Sequence, residues 1–298
     1  MTRTVRVASY NLQRGIHYAR IREQFRELPG LRDADVVAVQ EALVPQGGRN
    51  TLARLAEDLA AGHAWSYRPV MRYPDKEYGN GFLFRPVVTP GEIRHIPLPQ
   101  VARLGWLARR KTEGGVPDTK SAIVQVVEIG GARLRLVSLH LDFAGGAEHR
   151  VTQLTYLLDA LDLPGDPPVD AEVLLGDFNT SGRAGVSAVE AETTRVLDAA
   201  RSRRFVECSG DVAWTSELFS SIDDADPARR WLALGRALGL RYRQKLDHIL
   251  VRGALPVRPA VVVDGTATGA DPASDHLPLT VEIDVEGGYH RDDRGTAR

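Results

Sequence analysis

The 298-residue sequence contains one cysteine, Cys208, so no disulfide can form within the chain and no cysteine cluster can hold zinc. Cys208 reads as a small, half-buried apolar residue rather than a nucleophile. Long apolar runs are missing too, and none approaches the roughly 20 residues that cross a bilayer, so stable membrane insertion is not expected. Neither sign of charge is in excess, with 38 Lys and Arg against 39 Asp and Glu for a net charge of -1. That balance argues against a global electrostatic grip on nucleic acid or anionic membranes and leaves only local patches. The chain has no Gly-x-Ser-x-Gly elbow, no Gly-Lys-Ser/Thr phosphate loop and no His-Glu-x-x-His helix. Serine hydrolases, phosphate-loop ATPases and zincin proteases are therefore disfavoured. Residues 1–9 are patterned as a strand and lack the apolar stretch and cleavage site of a signal peptide, so a reducing cytoplasm is the expected location.

What is present is an ordinary globular composition, 43% hydrophobic and 26% charged, in a chain long enough to bury a sizeable core. Residues 5–10 alternate apolar and polar as a half-buried strand does, and Asn11 follows them. Residues 17–28 predict an amphipathic helix stopped by Pro29-Gly30, and 34–39 a buried strand ending on Gln40-Glu41. Residues 51–61 predict another helix, and 65–99 a series of short strands. Residues 121–128 and 133–141 predict a hairpin. Helices are expected at 148–161, 186–200 and 228–238, the last of them basic. Further strands are expected at 173–175, 246–251, 257–263 and 277–283. No repeat or linker divides the chain, strands outnumber helices, and helices occur in both halves. This favours one α/β domain over residues 1–286, followed by a Gly-rich, charged tail at 287–298 that is expected to be disordered.

The apolar run Val173-Leu174-Leu175 stops abruptly at Gly176-Asp177-Phe178-Asn179-Thr180. On extended backbone Asp177 and Asn179 share a face at the strand's end, although a simple turn after the strand explains these residues equally well. Comparable polar residues stand at strand ends throughout the chain: Asn11, Glu41, His140, Asp247 and the pair Asp275-His276. If these ends meet at one rim, carboxylate and amide oxygens can hold a hard divalent cation, Mg2+ or Mn2+. His140 and His276 add proton transfer at neutral pH, and the combination suits phosphoryl chemistry.

The ordered landmarks Ser9-Tyr10-Asn11, Gln40-Glu41, Tyr78-Gly79-Asn80, Ser138-Leu139-His140-Leu141, Gly176-Asp177-Phe178-Asn179, Leu246-Asp247-His248-Ile249 and Ser274-Asp275-His276-Leu277-Pro278 span residues 9–278. In this order the chain resembles the endonuclease/exonuclease/phosphatase superfamily of metal-dependent phosphoesterases. The resemblance implies a four-layer α/β/β/α sandwich of two mixed, mainly antiparallel sheets flanked by helices. It further implies that Glu41, helped by Asn11 and Asp275, holds the metal, and that Asp177 orients or deprotonates the attacking water. Asn179 would hold the phosphate or the metal shell, Asp247 would pair with His276, and His140 would bind the scissile phosphate, with Asn80 as a further substrate or phosphate contact. His140 resembles the deoxyribonuclease, sphingomyelinase and 5-phosphatase branches rather than the abasic-site endonucleases. The carboxylate that partners this histidine in deoxyribonuclease-like members has no clear match, because Tyr78-Gly79-Asn80 occupies its place beside Glu77.

Each fragment also has a bland reading. Asn11 can begin a turn, Glu41 can cap the next segment, and a lone His140 can be a satisfied core histidine. Asp247 is harder to dismiss, because an acid in an apolar strand is costly unless paired. His248 alternates to the opposite face and is left out of the site. Arg150 and Gln153 read as a solvated helix face. Arg109, with Arg103, Trp106, Arg110 and Lys111 in the loop 101–119, reads as a contact for an anionic substrate or as a solvated loop. The expected function is phosphoester hydrolysis, with nucleic acid as first substrate and a phospholipid or phosphorylated small molecule as the rival. A non-catalytic phosphate-binding protein is the remaining alternative.

Overall fold

The computed structural model describes residues 4–105, 109, 118–163, 166, 168–180, 185–222, 229–264 and 272–285. Its strands are β1 (Thr4–Asn11), β2 (Val36–Pro45), β3 (Ala64–Arg72), β4 (Lys76–Phe84), β5 (Val88–Pro97), β6 (Ser121–Ile129), β7 (Ala132–His140) and β8 (Ala171–Asp177). They continue with β9 (Val206–Glu207), β10 (Ser216–Glu217), β11 (Arg243–Gln244), β12 (Asp247–Arg252), β13 (Leu255–Pro256), β14 (Val261–Val262) and β15 (Leu279–Asp284). Helices are α1 (Tyr18–Glu27), α2 (Pro29–Arg32), α3 (Thr51–Asp58), α4 (Gly146–Leu161), α5 (Gly185–Arg201) and α6 (Arg229–Ala237).

Among the described residues one large sheet runs β13-β15-β1-β2-β4-β3, with β14 also on β15, and the other runs β5-β6-β7-β8-β12-β9. Each contains one parallel pair, β1 with β2 and β7 with β8, and is otherwise antiparallel. The period-2 alternation of the strands decides which face each side chain covers. Val7, Val36, Phe82 and Phe84 of the first sheet meet Ile123, Leu134, Leu136, Val173, Leu175 and Ile249 of the second in the central core. The intervening residues point outward. Tyr10, Val37 and Val39 pack on Ile21 and Phe25 of α1 and Leu52 and Leu55 of α3. Val137, Leu139 and Leu174 pack on Leu154 and Leu157 of α4 and on Val196 and Leu197 of α5. The result is the α/β/β/α sandwich, in which central strands such as β7, β8 and β12 are buried on both faces while the edge strands β3 and β5 are partly exposed. Each fully buried aliphatic side chain contributes about 1.5–3 kcal/mol.

Polar residues join the two sheets beneath one rim. Ser9 Oγ donates to Gln40 Oε1 at 3.3 Å, and Gln40 Nε2 donates to Ser138 Oγ at 3.0 Å, linking β1 and β2 to β7.

Several boundaries differ from the sequence reading. The first helix ends before Pro29-Gly30 as expected, but Pro29 then opens the unexpected α2, because proline at a first helical position gives up an N–H that needs no partner there. The second strand does not end at Gln40-Glu41; it continues to Pro45 through a bulge between Val39 and Ala42. The strand expected over 257–263 is replaced by the short β13 and β14. Cys208 is fully rather than half buried, and burial pushes its thiol up to about 12, which suits a core residue. The tail 287–298 lies outside the described residues. No described helix is long and apolar enough to cross a membrane.

Candidate active site

The two parallel strand pairs end at the same rim. Asn11 at the end of β1 lies opposite Gln40 of β2, and His140 at the end of β7 lies opposite Asp177 of β8. β12 brings Asp247 opposite Asp177 from the other side. β15 runs antiparallel to β1, so the residues before it, Ser274-Asp275-His276, come back to the same rim. Ser274 Oγ fixes this meeting by donating to Asn11 O at 2.8 Å and accepting from His276 N at 3.1 Å.

Asp177 is the hub. Its Oδ1 accepts from Asn179 N at 2.8 Å, and its Oδ2 accepts from Asn11 Nδ2 at 3.2 Å. The same Oδ2 lies 3.5 Å from His140 Nε2 and 3.8 Å from His276 Nε2. His276 Nδ1 is bonded to Asp247 Oδ2 at 2.8 Å, which turns Nε2 towards Asp177. The pairing of Asp247 with His276 expected from the sequence is thus present in the geometry. Asn179 Nδ2 donates to Leu141 O at 2.9 Å.

The backbone is bent to make this arrangement. Gly176 has φ +146°, and a Cβ there would stand 2.0 Å from Leu139 O, so β7 and β8 approach as closely as they do only with glycine at 176. Asn179 (φ 49°) and Glu41 (φ 56°) occupy the left-handed region that non-glycine residues seldom enter. Glu41 does so inside the β2 bulge, and the extra residue re-aims its side chain. Asn80 lies on β4 across from that bulge, between the pairs Val39–Gly81 and Ala42–Gly79, and its Nδ2 donates to Ser121 O at 3.1 Å.

Charge is distributed unequally over this cluster. Burial would depress His276, but Asp247 and then Asp177 outweigh it and hold the imidazole well above its ordinary value. Burial, with the charges of Lys120 and His276, holds His140 well below it. The surroundings thus favour the charged form of His276 and the neutral form of His140. Burial raises Asp177 to about 7, against the opposing pull of His276. Burial also raises Asp275, opposed by His276 and assisted by Glu41, which places the two carboxylates within electrical reach of each other. Among the described residues no group of three or more His, Cys, Asp and Glu side chains is gathered around one point as a metal cage.

Three sets of residues escaped the sequence reading. Lys120 is buried, with Nζ 3.3 Å from His140 Nε2 and 3.7 Å from Asp118, so a lysine takes the place beside His140 where a carboxylate was sought. Glu77 instead pairs with Arg72. The only available signal was a lysine directly before the apolar run of β6. Gln13 links both ends of the chain: its N–H bonds Asn11 Oδ1 at 3.0 Å, and its Oε1 accepts from Asp275 N at 3.1 Å. Arg150 and Gln153, read as a solvated face, are 1% and 0% exposed. Gln153 Oε1 accepts from Asp142 N at 2.9 Å and Arg150 lies 3.5 Å from Glu192, so this face of α4 packs beneath the segment that follows His140. Of the expected substrate contacts, Arg109 is exposed, with its N–H on Gly105 O at 2.9 Å, and most of the surrounding loop lies outside the described residues.

A sequence profile described as the Endonuclease/Exonuclease/phosphatase family matches residues 8–276. No curated protein matches the chain. Among solved structures, an endonuclease/exonuclease/phosphatase family protein from Bacteroides thetaiotaomicron superposes with a TM-score of 0.62 at 17% identity, covering 95% of this chain and 98% of its own. D. rerio TDP2 complexed with single strand DNA product gives 0.61 at 15% identity, covering 94% and 99%. The human Nocturnin catalytic domain with bound sulfate anion gives 0.57 at 17% identity, covering 94% and 93%. At these identities the structural likeness speaks for the fold.

Proposed function

The chain belongs to the Endonuclease/Exonuclease/phosphatase family, and on that premise we propose that residues 1–286 form a cytoplasmic phosphodiesterase, with nucleic acid as first substrate, dependent on Mg2+ or Mn2+. The observation that carries the reading is the Asp177 hub, a buried carboxylate whose Oδ2 lies 3.5 Å from His140 Nε2 and 3.8 Å from His276 Nε2, and which burial raises to about 7.

Glu41 and Asp275, with the amide of Asn11, fit a hard cation that keeps much of its water: their donors are oxygens, and the mutual repulsion that helps raise Asp275 is what a bound cation would relieve. A cation held there offsets negative charge on the phosphate and leaving oxygens. Asp177 orients the attacking water and takes its proton, for which a carboxyl group near neutrality is well matched. Asp247 keeps His276 protonated and oriented, so that Nε2 faces the negative charge that grows on phosphorus-bound oxygen. His140, Asn179 and Lys120 line the other side of Asp177 and hold the phosphate, with Asn80 and Arg109 as further substrate contacts. DNA product in D. rerio TDP2 and sulfate in human Nocturnin support an anionic, phosphodiester-like ligand.

The test is turnover of nucleic acids, phospholipids and inositol phosphates with Mg2+, Mn2+ or chelator. Nucleic acid should be cleaved only with metal, and Asp177→Ala should lower kcat by about 10²–10⁴-fold. Chelator-insensitive hydrolysis, or full activity of Asp177→Ala, would overturn the mechanism. Turnover of lipid alone would replace the substrate, and binding without turnover would leave a phosphate-binding protein.

A further inference from the structure

Between β10 and β11 the chain makes an excursion whose exposed side chains the proposed chemistry does not use. Trp231 on α6 is 76% exposed, and Leu234, Leu238 and Leu240 are exposed as well. Trp231, Leu234 and Leu238 are spaced by three and four residues and so form one helical stripe. The other half of the apolar face is covered: Leu232 is half-buried, and Gly235 lies so close to Phe219 that a Cβ there would come within 2.5 Å of its ring. The segment from Arg229 to Arg243 contains five arginines and no acid. Asp223, Asp224 and Asp226 precede it in the sequence, lie outside the described residues, and are outnumbered by those arginines.

The root of the excursion is the candidate active site itself. Ser216 of β10 bridges to His276, Glu217 N donates to Asp275 O at 3.0 Å, and Arg243 of β11 is held by Glu217 at 3.2 Å and over the Trp214 ring at 4.2 Å.

We propose that the exposed face of α6 and the turn after it docks on an anionic lipid bilayer surface. An apolar stripe bordered by Arg230 and followed by Arg241 has the composition of a helix that lies in a membrane interface, with its leucines and tryptophan among the acyl chains and these cations at anionic headgroups. Charge complementarity selects this occupant. A second copy meeting the same face would bring arginine against arginine, because a two-fold interface pairs a patch with itself. Single-stranded nucleic acid stacks on aromatic rings, and of the five exposed apolar side chains in this segment three are leucines, against the two rings of Trp231 and Tyr242. Docking here sets the bilayer against an excursion rooted on Asp275 and His276. The inference stands apart from the hydrolytic reading, since it is measured by binding and not by turnover.

Flotation of the full-length protein with vesicles decides it. Binding to phosphatidylglycerol-containing vesicles, weak binding to pure phosphatidylcholine, and weakening with salt are expected. Leu234→Asp and Leu238→Asp should each lower partitioning about tenfold or more, and Arg230→Gln and Arg241→Gln each about fivefold, at an unchanged melting temperature. Equal failure to bind both vesicle types, or undiminished binding by Leu234→Asp, would overturn the proposal. So would Trp231-dependent binding of a single-stranded oligonucleotide without vesicle binding, or concentration-dependent dimerisation abolished by Leu234→Asp.

Discussion

At the scale of single residues, Thr180 and Asn179 are adjacent but serve different networks. Asn179 faces Asp177, whereas Thr180 Oγ1 lies 2.9 Å from His248 Nε2, and His248 Nδ1 donates to Glu207 Oε1 at 3.2 Å. Burial lowers His248 and pushes Glu207 up, but the hydrogen bond and charge of His248, with the Lys245 ammonium at 2.9 Å, outweigh that push and hold Glu207 well below the usual carboxylate range. A depressed acid contributes stability above its unfolded value and loses it as the pH falls through the folded one. Glu207→Gln should therefore cost about 1–3 kcal/mol at pH 7, with the gap to wild type closing below about pH 4. Urea titrations at a series of pH values will measure it, and a pH-independent gap would contradict the charge assignment. The sequence shows Asp177, Asp247, His140 and His276 because each polar residue interrupts or ends an apolar run. Lys120, Gln13 and Glu207 were illegible because nothing local distinguishes them from surface residues. Only the pairing of β6 with β7, the return of the chain before β15 and the pairing of β9 with β12 give them partners.

At the scale of elements, the strands that carry the site are fixed by backbone geometry that composition does not reveal. The apolar alternation of β1, β7, β8 and β12 made these strands readable, and with them the sheet faces. The β2 bulge was not readable, since Gln40-Glu41-Ala42 has no glycine to announce a positive φ, and the strand was expected to stop there. Gly176 makes the opposite case, a glycine whose need becomes visible only when Leu139 is beside it. Gly176→Ala combines a disfavoured φ with a backbone clash, so a loss of at least about 2 kcal/mol is expected, read as a lower thermal midpoint. A variant as stable as wild type would show that β7 and β8 can separate at no cost. Basic α6 was recognised as a helix from its pattern, but its exposed leucines could be identified only with Phe219 in place against Gly235.

At the scale of the whole molecule, the sandwich is held by three apolar layers and by a small number of polar links across the central one. Gln40 is the link nearest the site, fully buried and shared between Ser9 and Ser138. Gln40→Ala leaves two buried hydroxyls short of a partner and opens a cavity, and should cost about 2–4 kcal/mol in denaturant unfolding. A change below about 0.5 kcal/mol would mean that the sheets are held by apolar contact alone.

The chain path adds a constraint on when such a site can exist. β1 lies between β2 and β15, and Asn11 is tied through its carbonyl to Ser274. During synthesis β1 precedes β15, so the edge of β1 that β15 covers stays unmatched until residues 279–284 have been made. A nascent chain still lacking residues 274–284 has neither Asp275 nor His276 beside Asn11, so the rim cannot assemble from the first sheet's early strands alone.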